Sequence, residues 1–413
     1  MSTAAPIAAH AGIRHYTLLN NQLMLAGLSM REIAEKAGQT PFYVYDSALM
    51  RARVAELRTR LPTNVEVHYA MKANPMAEVV RLFAGVCEGI DLASVGEMQV
   101  ALAQGIPAQR LSFAGPGKTA AAINAAVAAG VTLNAESLRE IHLAIHAGQT
   151  QQKTAHIAIR INPDFELKGS GMKMGGGAKP FGLDVALVPK ALALIKHSHA
   201  RFIGFHCYSG SQNLKADSLI ETQAKSIALC EQLCDDAQMS AELFNIGGGF
   251  GIPYFPGEQA LDYARVCHEL SREAHALAQR RPQTKLALEL GRYLVGEAGL
   301  YVCEVIERKM SHGQVFLITN GGLHHHLSAS GNFGQVLRKN YPLCLAHQVC
   351  ADELETVQVV GPLCTPLDLL GNAVKLPRAD EHDLIAIFQS GAYGYTASPH
   401  LFLNHPKPVE ILL

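Results

Sequence analysis

From about residue 64 the chain repeats one unit: an apolar strand, a polar or glycine-rich turn, then an alanine- and leucine-rich helix. This repeat limits the fold more than any other feature. Parallel neighbouring strands need a crossover of a dozen or more residues, and a helix is the usual one. The strands read at 65–70, 89–93, 110–114, 131–135, 156–161, 202–207, 242–246 and 285–289, eight in all. Segments 76–85, 94–103, 119–129 and 136–147 carry apolar residues at helical spacing. Ser94 and Thr119 stand where N-caps belong, and Gly130 where a helix stops. Eight such units predict an α/β protein with a TIM-type (β/α)8 barrel; a doubly wound open sheet is the alternative.

After Gly299 the character changes. Stretches 300–308, 315–319, 357–360 and 383–388 look like β-strands without long helices between them, and 41–46 is a lone strand before a helix at 47–60. The expected organisation is a barrel over 47–299 and a β-rich domain built from 1–46 and 300–413. A chain of 413 residues with 48% hydrophobic and 17% charged content suits two well-buried domains of a soluble enzyme. A net charge of −1 attracts neither nucleic acid nor an anionic membrane, and no run of eighteen apolar residues is present. Residues 1–10 are small and weakly patterned and read as frayed, with no basic-then-apolar leader. Nine cysteines, an odd number without a CxxC pair, predict reduced thiols in the cytoplasm and no structural zinc. His324, His325 and His326 are adjacent, so regular structure cannot aim all three at one ion, and no metal is expected there.

A barrel places its chemistry at the carboxyl ends of its strands. Here the first strand is followed by Lys72, the fifth carries Arg160, the sixth runs into Cys207-Tyr-Ser-Gly-Ser-Gln212, the seventh into Gly247-Gly-Gly-Phe-Gly251, and the eighth into Glu289-Leu-Gly-Arg292. Each has an ordinary reading: a solvated lysine, a tight turn, a Glu289–Arg292 ion pair. Together they have another. Gly247, Gly248 and Gly249 let backbone amides approach an anion, and Ser211 and Arg292 complete a phosphate cradle. Glu289 can hydrogen-bond a protonated ring nitrogen. A lysine amine, a phosphate cradle and a ring-nitrogen carboxylate are the requirements of pyridoxal 5′-phosphate.

With these residues in place the chain resembles the fold-type III pyridoxal-phosphate decarboxylases, the group of diaminopimelate, ornithine and arginine decarboxylases. The motifs are Tyr69-Ala-Met-Lys-Ala-Asn-Pro75, Gly210-Ser-Gln212, Gly247-Gly-Gly-Phe-Gly251, Glu289-Leu-Gly-Arg292, Gly361-Pro-Leu-Cys364 with Asp368, and Gly391-Ala-Tyr-Gly394. They run from about Pro41 to Leu413. The resemblance implies an alanine-racemase-like barrel with a β-domain, and it implies roles. Lys72 would hold the cofactor. Ser211, Gly247, Gly248, Gly249, Arg292 and Tyr393 would bind its phosphate. Glu289 would face the pyridine nitrogen, Arg160 would lie near the ring and Asp91 near Lys72. His206 or Tyr208 would cover the ring. Cys364 would reach in from a second subunit and protonate the carbanion, so a homodimer with shared sites is implied.

Three positions depart from the family pattern. Tyr208 stands where a ring-stacking histidine is usual, with His206 two residues earlier on the same strand face. Leu290 replaces the proline of Glu-Pro-Gly-Arg. Thr365 follows Cys364, where diaminopimelate and ornithine enzymes hold the distal amine with Glu or Asp. The substrate side would draw on Thr365, Asp368, Phe402, Asn320, His324 and Arg338, with the His324–His326 run or Arg338 receiving an anionic end. These changes resemble the branch linked to siderophore, antibiotic and exosortase-associated pathways, which acts on amino-acid conjugates, citryl-linked or borne by an acyl-carrier protein. Segment 168–179, with Gly169, Gly171, Gly175, Gly176 and Gly177, reads as a lid or as a flexible surface loop. The competing functions are diaminopimelate decarboxylation, an amino-acid racemase on the same barrel, and a non-catalytic pyridoxal-phosphate carrier. Cys364 favours decarboxylation over racemisation, and residues 300–413 count against a single-barrel carrier.

Overall fold

In the computed structural model residues 11–166, 168–169, 171–333, 335 and 338–413 are described. The frayed start expected at 1–10, and Ser170 of segment 168–179, lie outside them. The chain divides into two compact units. One comprises Arg51–Ile252 and Leu261–Tyr293; the other takes in the described residues up to Met50, Pro253–Ala260 and Leu294–Leu413.

The first unit is a closed barrel. Its strands are β1 (Val65–Ala70), β2 (Gly89–Leu92), β3 (Leu111–Phe113), β4 (Thr132–Ala135), β5 (His156–Asn162), β6 (Arg201–Cys207), β7 (Leu243–Gly248) and β8 (Lys285–Leu290). Every neighbouring pair is parallel, β8 pairs with β1 (Leu286 opposite Val65), and β4 pairs with β5 (Leu133 opposite Ile157), so the sheet has no free edge. Closure, rather than an open sheet, is therefore the outcome of the eight-unit repeat. The caps are as expected. Ser94 accepts from Glu97 N and Thr119 from Ala122 N, and Gly130 ends its helix in the left-handed region at φ 82°. The helix expected at 136–147 begins later, at Leu138, because Ser137 caps it and leaves Glu136 on the strand-end loop. After β5 the repeat is interrupted. Two short strands, Met172–Lys173 and Leu183–Asp184, precede the helix Val188–Lys196. Met172–Lys173 pairs antiparallel with Gly210–Ser211, and Leu183–Asp184 extends β5 in parallel.

The second unit is β-rich. Its larger sheet runs Leu343–Leu345, Leu384–Ile387, Gly299–Ser311, Gln314–Thr319, Glu355–Val360, Leu369–Leu376. Phe42–Tyr45 joins it on Gly299–Ser311, and Val409–Leu412 pairs with Phe42–Tyr45, so strands from the two sides of the barrel sequence meet there. Phe42, Val44, Leu300, Val302, Ala386 and Phe388 form the centre of its core. Leu369–Leu376 was not read as a strand in the sequence: its exposed Asn372 and Lys375 break the alternation, and pairing with Glu355–Val360 overrides it.

Candidate active site

β1 ends at Ala70 and the chain enters a one-turn 3-10 helix, Met71–Ala73. Met71 and Ala73 are buried, and Lys72 between them is 38% exposed at its side chain. The turn is braced by Tyr69, whose hydroxyl donates to Asn74 O at 2.8 Å and whose ring stacks on Phe83 at 4.0 Å. Lys72 Nζ lies 3.3 Å from Glu289 Oε1 and 5.2 Å from the centre of the Tyr208 ring. Glu289 Oε2 is 2.9 Å from His206 Nε2. A carboxylate only accepts, so His206 Nε2 carries the hydrogen. Burial pushes the Glu289 carboxyl up, but Lys72, the His206 hydrogen bond and charge, and Arg160 outweigh it and hold it well below the usual carboxylate range. Glu289 is thus ionised, buried, and engaged with Lys72 and His206.

The loops after β6 and β7 run side by side, with Asn213 N donating to Gly249 O at 2.9 Å. Gly247 has φ 69°, and a Cβ there would fall 2.6 Å from Cys207 O. At Gly248 a Cβ would overlap Glu289 O. No side chain fits this strip. Beside it the hydroxyls of Ser209 and Ser211 are buried without a hydrogen-bond partner among the described residues. Orphaned hydroxyls next to a backbone strip that only glycine can form suit an oxyanion ligand. Arg292 opens the short helix Arg292–Val295 directly after β8. The donor set, with Lys72 and ionised Glu289 alongside, fits a phosphorylated pyridine aldehyde.

Asp91, at the end of β2, is buried and accepts from Ser112 Oγ at 2.5 Å, with His68 Nδ1 at 3.6 Å. His68 Nε2 in turn meets Glu66 at 3.1 Å. Burial alone lowers the His68 pKa, but Asp91 and Glu66 overcome it and raise it to about 9. Arg160, on β5, is held by Glu136 at 2.8 Å and lies 5.3 Å from the Phe181 ring. Lys118 and Glu140 form a second buried pair at 2.9 Å. The sequence reading passed over His68, Lys118, Glu136 and Glu140. Glu136 had a usable signal, since it directly follows β4 as Lys72 closely follows β1. Lys118 and Glu140 had none, because burial of a loop lysine is a tertiary fact.

The remaining expected site residues belong to the β-rich unit. Cys364 is the one exposed cysteine; Cys350 is half-buried and the other seven are buried. Its loop is fastened by Asp368, which accepts from Leu323 N at 2.6 Å and Leu363 N at 2.9 Å, so each oxygen of that buried carboxylate has a backbone partner. Thr365 N donates to Leu363 O at 2.7 Å, and Thr365 Oγ1 accepts from Leu367 N at 3.3 Å. Asn320 accepts from Glu304 N and donates to Thr40 Oγ1. Burial, the largest cause throughout, pushes His324 to about 4 and His325 and His326 to about 3. The triplet is therefore neutral at physiological pH and offers hydrogen bonds but no cationic charge. Arg338 Nε donates to Ser330 O at 2.9 Å. Phe402 is 46% exposed, and Tyr393 has φ 53°, in the left-handed region.

The family model for the pyridoxal binding domain of pyridoxal-dependent decarboxylases matches residues 47–296. A Niallia circulans decarboxylase of L-glutamyl BtrI acyl-carrier protein is 38% identical over 91% of this chain and 89% of its own length. A Staphylococcus aureus decarboxylase of a 2-hydroxybutanedioate bearing an (L-alanin-3-ylcarbamoyl)methyl group is 29% identical over 90% of this chain and 93% of its own. Among solved structures, diaminopimelate decarboxylase from M. jannaschii in co-complex with L-lysine superposes with a TM-score of 0.87 at 26% identity, covering 97% of this chain and 93% of that one.

Proposed function

The chain belongs to the pyridoxal-dependent decarboxylases, and on that premise we propose that it decarboxylates an amino-acid conjugate whose distal end is neutral or anionic, in preference to a free diamino acid. One observation carries this reading: the Cys364 loop offers no free carboxylate. Thr365 is uncharged, and both oxygens of Asp368 are taken by backbone amides. A distal ammonium would leave water there without a counter-charge, at a cost of several kcal/mol. An aminoacyl group on a carrier protein, or a citryl-type conjugate, avoids that cost. The substrates in the names of the Niallia circulans and Staphylococcus aureus relatives are of these kinds. Arg338, rather than the neutral histidine triplet, is the group suited to an anionic end.

In this reading Lys72 holds the cofactor covalently. Ser211, Gly247, Gly248, Gly249, Arg292 and Tyr393 receive the phosphate, and Glu289 faces the ring nitrogen with His206 fixing its second oxygen. Tyr208, beside the Lys72 amine, covers the ring, while His206 is committed to Glu289. Arg160 flanks the ring and Asp91 stands behind Lys72. The bound cofactor supplies an electron sink for the carbanion left when CO2 departs. The Cys364 Sγ–H delivers the proton to that carbon.

Cys364 acts in this proposal from a second copy of the chain, giving a homodimer with shared sites. Support comes from its exposure and from the exposed apolar residues Phe333, Leu367, Leu401, Phe402 and Leu403 of the same unit, which a partner can cover. Nine free thiols are consistent with a cytoplasmic home, and no helix of the described residues is long and apolar enough to cross a membrane.

The test compares kcat/KM across free diaminopimelate, ornithine and lysine, citryl conjugates and carrier-borne aminoacyl groups, with CO2 release as readout. Conjugates are expected to win by at least about a hundredfold. Turnover of free diaminopimelate at ~10⁴ M⁻¹s⁻¹ or above, the range usual for a true substrate, returns the protein to diaminopimelate decarboxylation.

A further inference from the structure

Glu136 sits on the loop after β4 with its side chain 2% exposed, and its one carboxylate holds strand β5 and two loops. Oε1 accepts from Arg160 Nη1 at 2.8 Å and from Gly115 N, after β3, at 2.6 Å. Oε2 accepts from Gly182 N at 2.9 Å. Gly182 closes the glycine-rich segment 171–182, and its neighbour Phe181 faces the Arg160 guanidinium. The opposite leg of the same segment is stitched to the loop bearing Ser211. Met172 pairs with Ser211, and Met174 N donates to Ser209 O at 3.0 Å. Asn162 fastens the middle, donating to Gly177 O at 2.9 Å and accepting from Gly176 N at 3.1 Å. The segment therefore spans two groups that the cofactor needs, the phosphate-side serine loop and the ring-side arginine.

Arg160 has a choice of partners. It stands opposite His206 in the β5–β6 register, and His206 Nε2 meets Glu289 Oε2 at 2.9 Å, so a second buried carboxylate is near enough to attract it. A flexible guanidinium released from Glu136 can swing toward Glu289 and compete for the oxygen that a ring nitrogen requires. The same release frees the amide of Gly182 and unpins the segment.

We infer that Glu136 is a positioning residue for the decarboxylation: its carboxylate keeps Arg160 off Glu289 and anchors segment 171–182, so that cofactor binding and the order of that segment rise together. The segment is a cofactor-responsive strap rather than a passive surface loop. This rests on the ring-side reading of Arg160.

The experiment uses the full chain, with and without pyridoxal 5′-phosphate, and reads hydrogen exchange over 171–182 together with cofactor affinity by absorbance. In the natural sequence the cofactor is expected to slow exchange there at least tenfold. Glu136→Gln keeps the shape but cannot present two acceptor oxygens. It should exchange faster without cofactor, lose the cofactor-induced protection, and bind the cofactor about tenfold more weakly, the worth of one charge-assisted hydrogen bond. Glu136→Asp, which keeps the charge, should recover part of both. Glu242→Gln breaks the exposed Arg201 pair at the amino ends of β6 and β7 and leaves every Glu136 contact, so it should behave as the natural sequence. Unchanged exchange and affinity in Glu136→Gln overturns the inference, as does equal impairment in Glu242→Gln. Arg160→Met separates the underlying reading: unchanged cofactor affinity there removes Arg160 from the ring, while exchange at 171–182 in Glu136→Gln still decides the anchor.

Discussion

The barrel and the loops of the β-rich unit hold their buried polar groups in opposite ways. In the barrel each group is paired with a carboxylate: Lys72 and His206 with Glu289, Arg160 with Glu136, Lys118 with Glu140, His68 with Asp91 and Glu66. In the β-rich unit His324, His325 and His326 are neutral, Asp368 is engaged by backbone amides, and Cys364 is exposed. Under the proposed function the difference separates two tasks. Fixed charges in a low-dielectric site act on a ligand of constant charge pattern, which is what a cofactor is. Neutral groups leave the choice of substrate to shape and to absence of charge.

The comparison is broken most severely at Lys72. Lys72→Ala should lose activity by about 10³-fold or more, as expected when a covalent group is removed. Borohydride reduction of the unaltered protein should fix the cofactor's mass on the Lys72 peptide. Finding that mass on another lysine would overturn the assignment.

Cys364→Ala comes next. A missing positioned acid costs roughly 10²–10⁴-fold in turnover, with CO2 still released and some cofactor lost to abortive transamination. Mixing Lys72→Ala and Cys364→Ala chains should restore activity above either alone. Mixed dimers that form and stay inactive count against sites shared between subunits.

A smaller effect sharpens the contrast by pH. His68 is raised to about 9, so its contribution to stability is complete below about 6.5 and is lost as pH rises through 9. The triplet runs the other way. A histidine lowered to about 4 or 3 binds its proton more readily when unfolded, so stability drops as pH falls below about 6.5. Each effect is on the order of a few kcal/mol at the extreme of its window. Hydrogen exchange corrected for intrinsic rate should show 320–326 opening first toward pH 5 and β1–β2 opening first toward pH 10. The reverse order, or simultaneous opening, dissolves the distinction.

The smallest effect is expected at Thr365. Thr365→Glu adds the missing charge at a half-buried residue but leaves the rest of the substrate pocket unaltered, so kcat/KM for diaminopimelate should rise tenfold or less. A fall would mean that the loop does not meet the distal end of the substrate.

Much of the barrel was legible because its signals are local. Alternation, cap residues and glycine stops act within a turn or two of where they stand, which is why eight strands, Ser94, Thr119 and Gly130 were readable. The β-rich unit was less so. Leu369–Leu376 and Val409–Leu412 owe their form to partners elsewhere in the chain, Glu355–Val360 and Phe42–Tyr45.

The amino-acid sequence alone determined which chemical groups stand at the strand ends. Each follows its strand by a covalently fixed number of residues, and closure of the repeat brings all strand ends to one rim. Only the tertiary structure decided the partners and surroundings of those groups. Glu289 was open between Arg292 and a ring nitrogen until the fold set it against Lys72 and His206. His206 and Tyr208 were interchangeable by spacing until one was seen to bond Glu289 and the other to lie beside Lys72. The histidine triplet was open to receiving an anionic end until burial was seen to keep it neutral. Charge state and partner choice depend on desolvation and on distances across the chain, and neither is a property of local sequence.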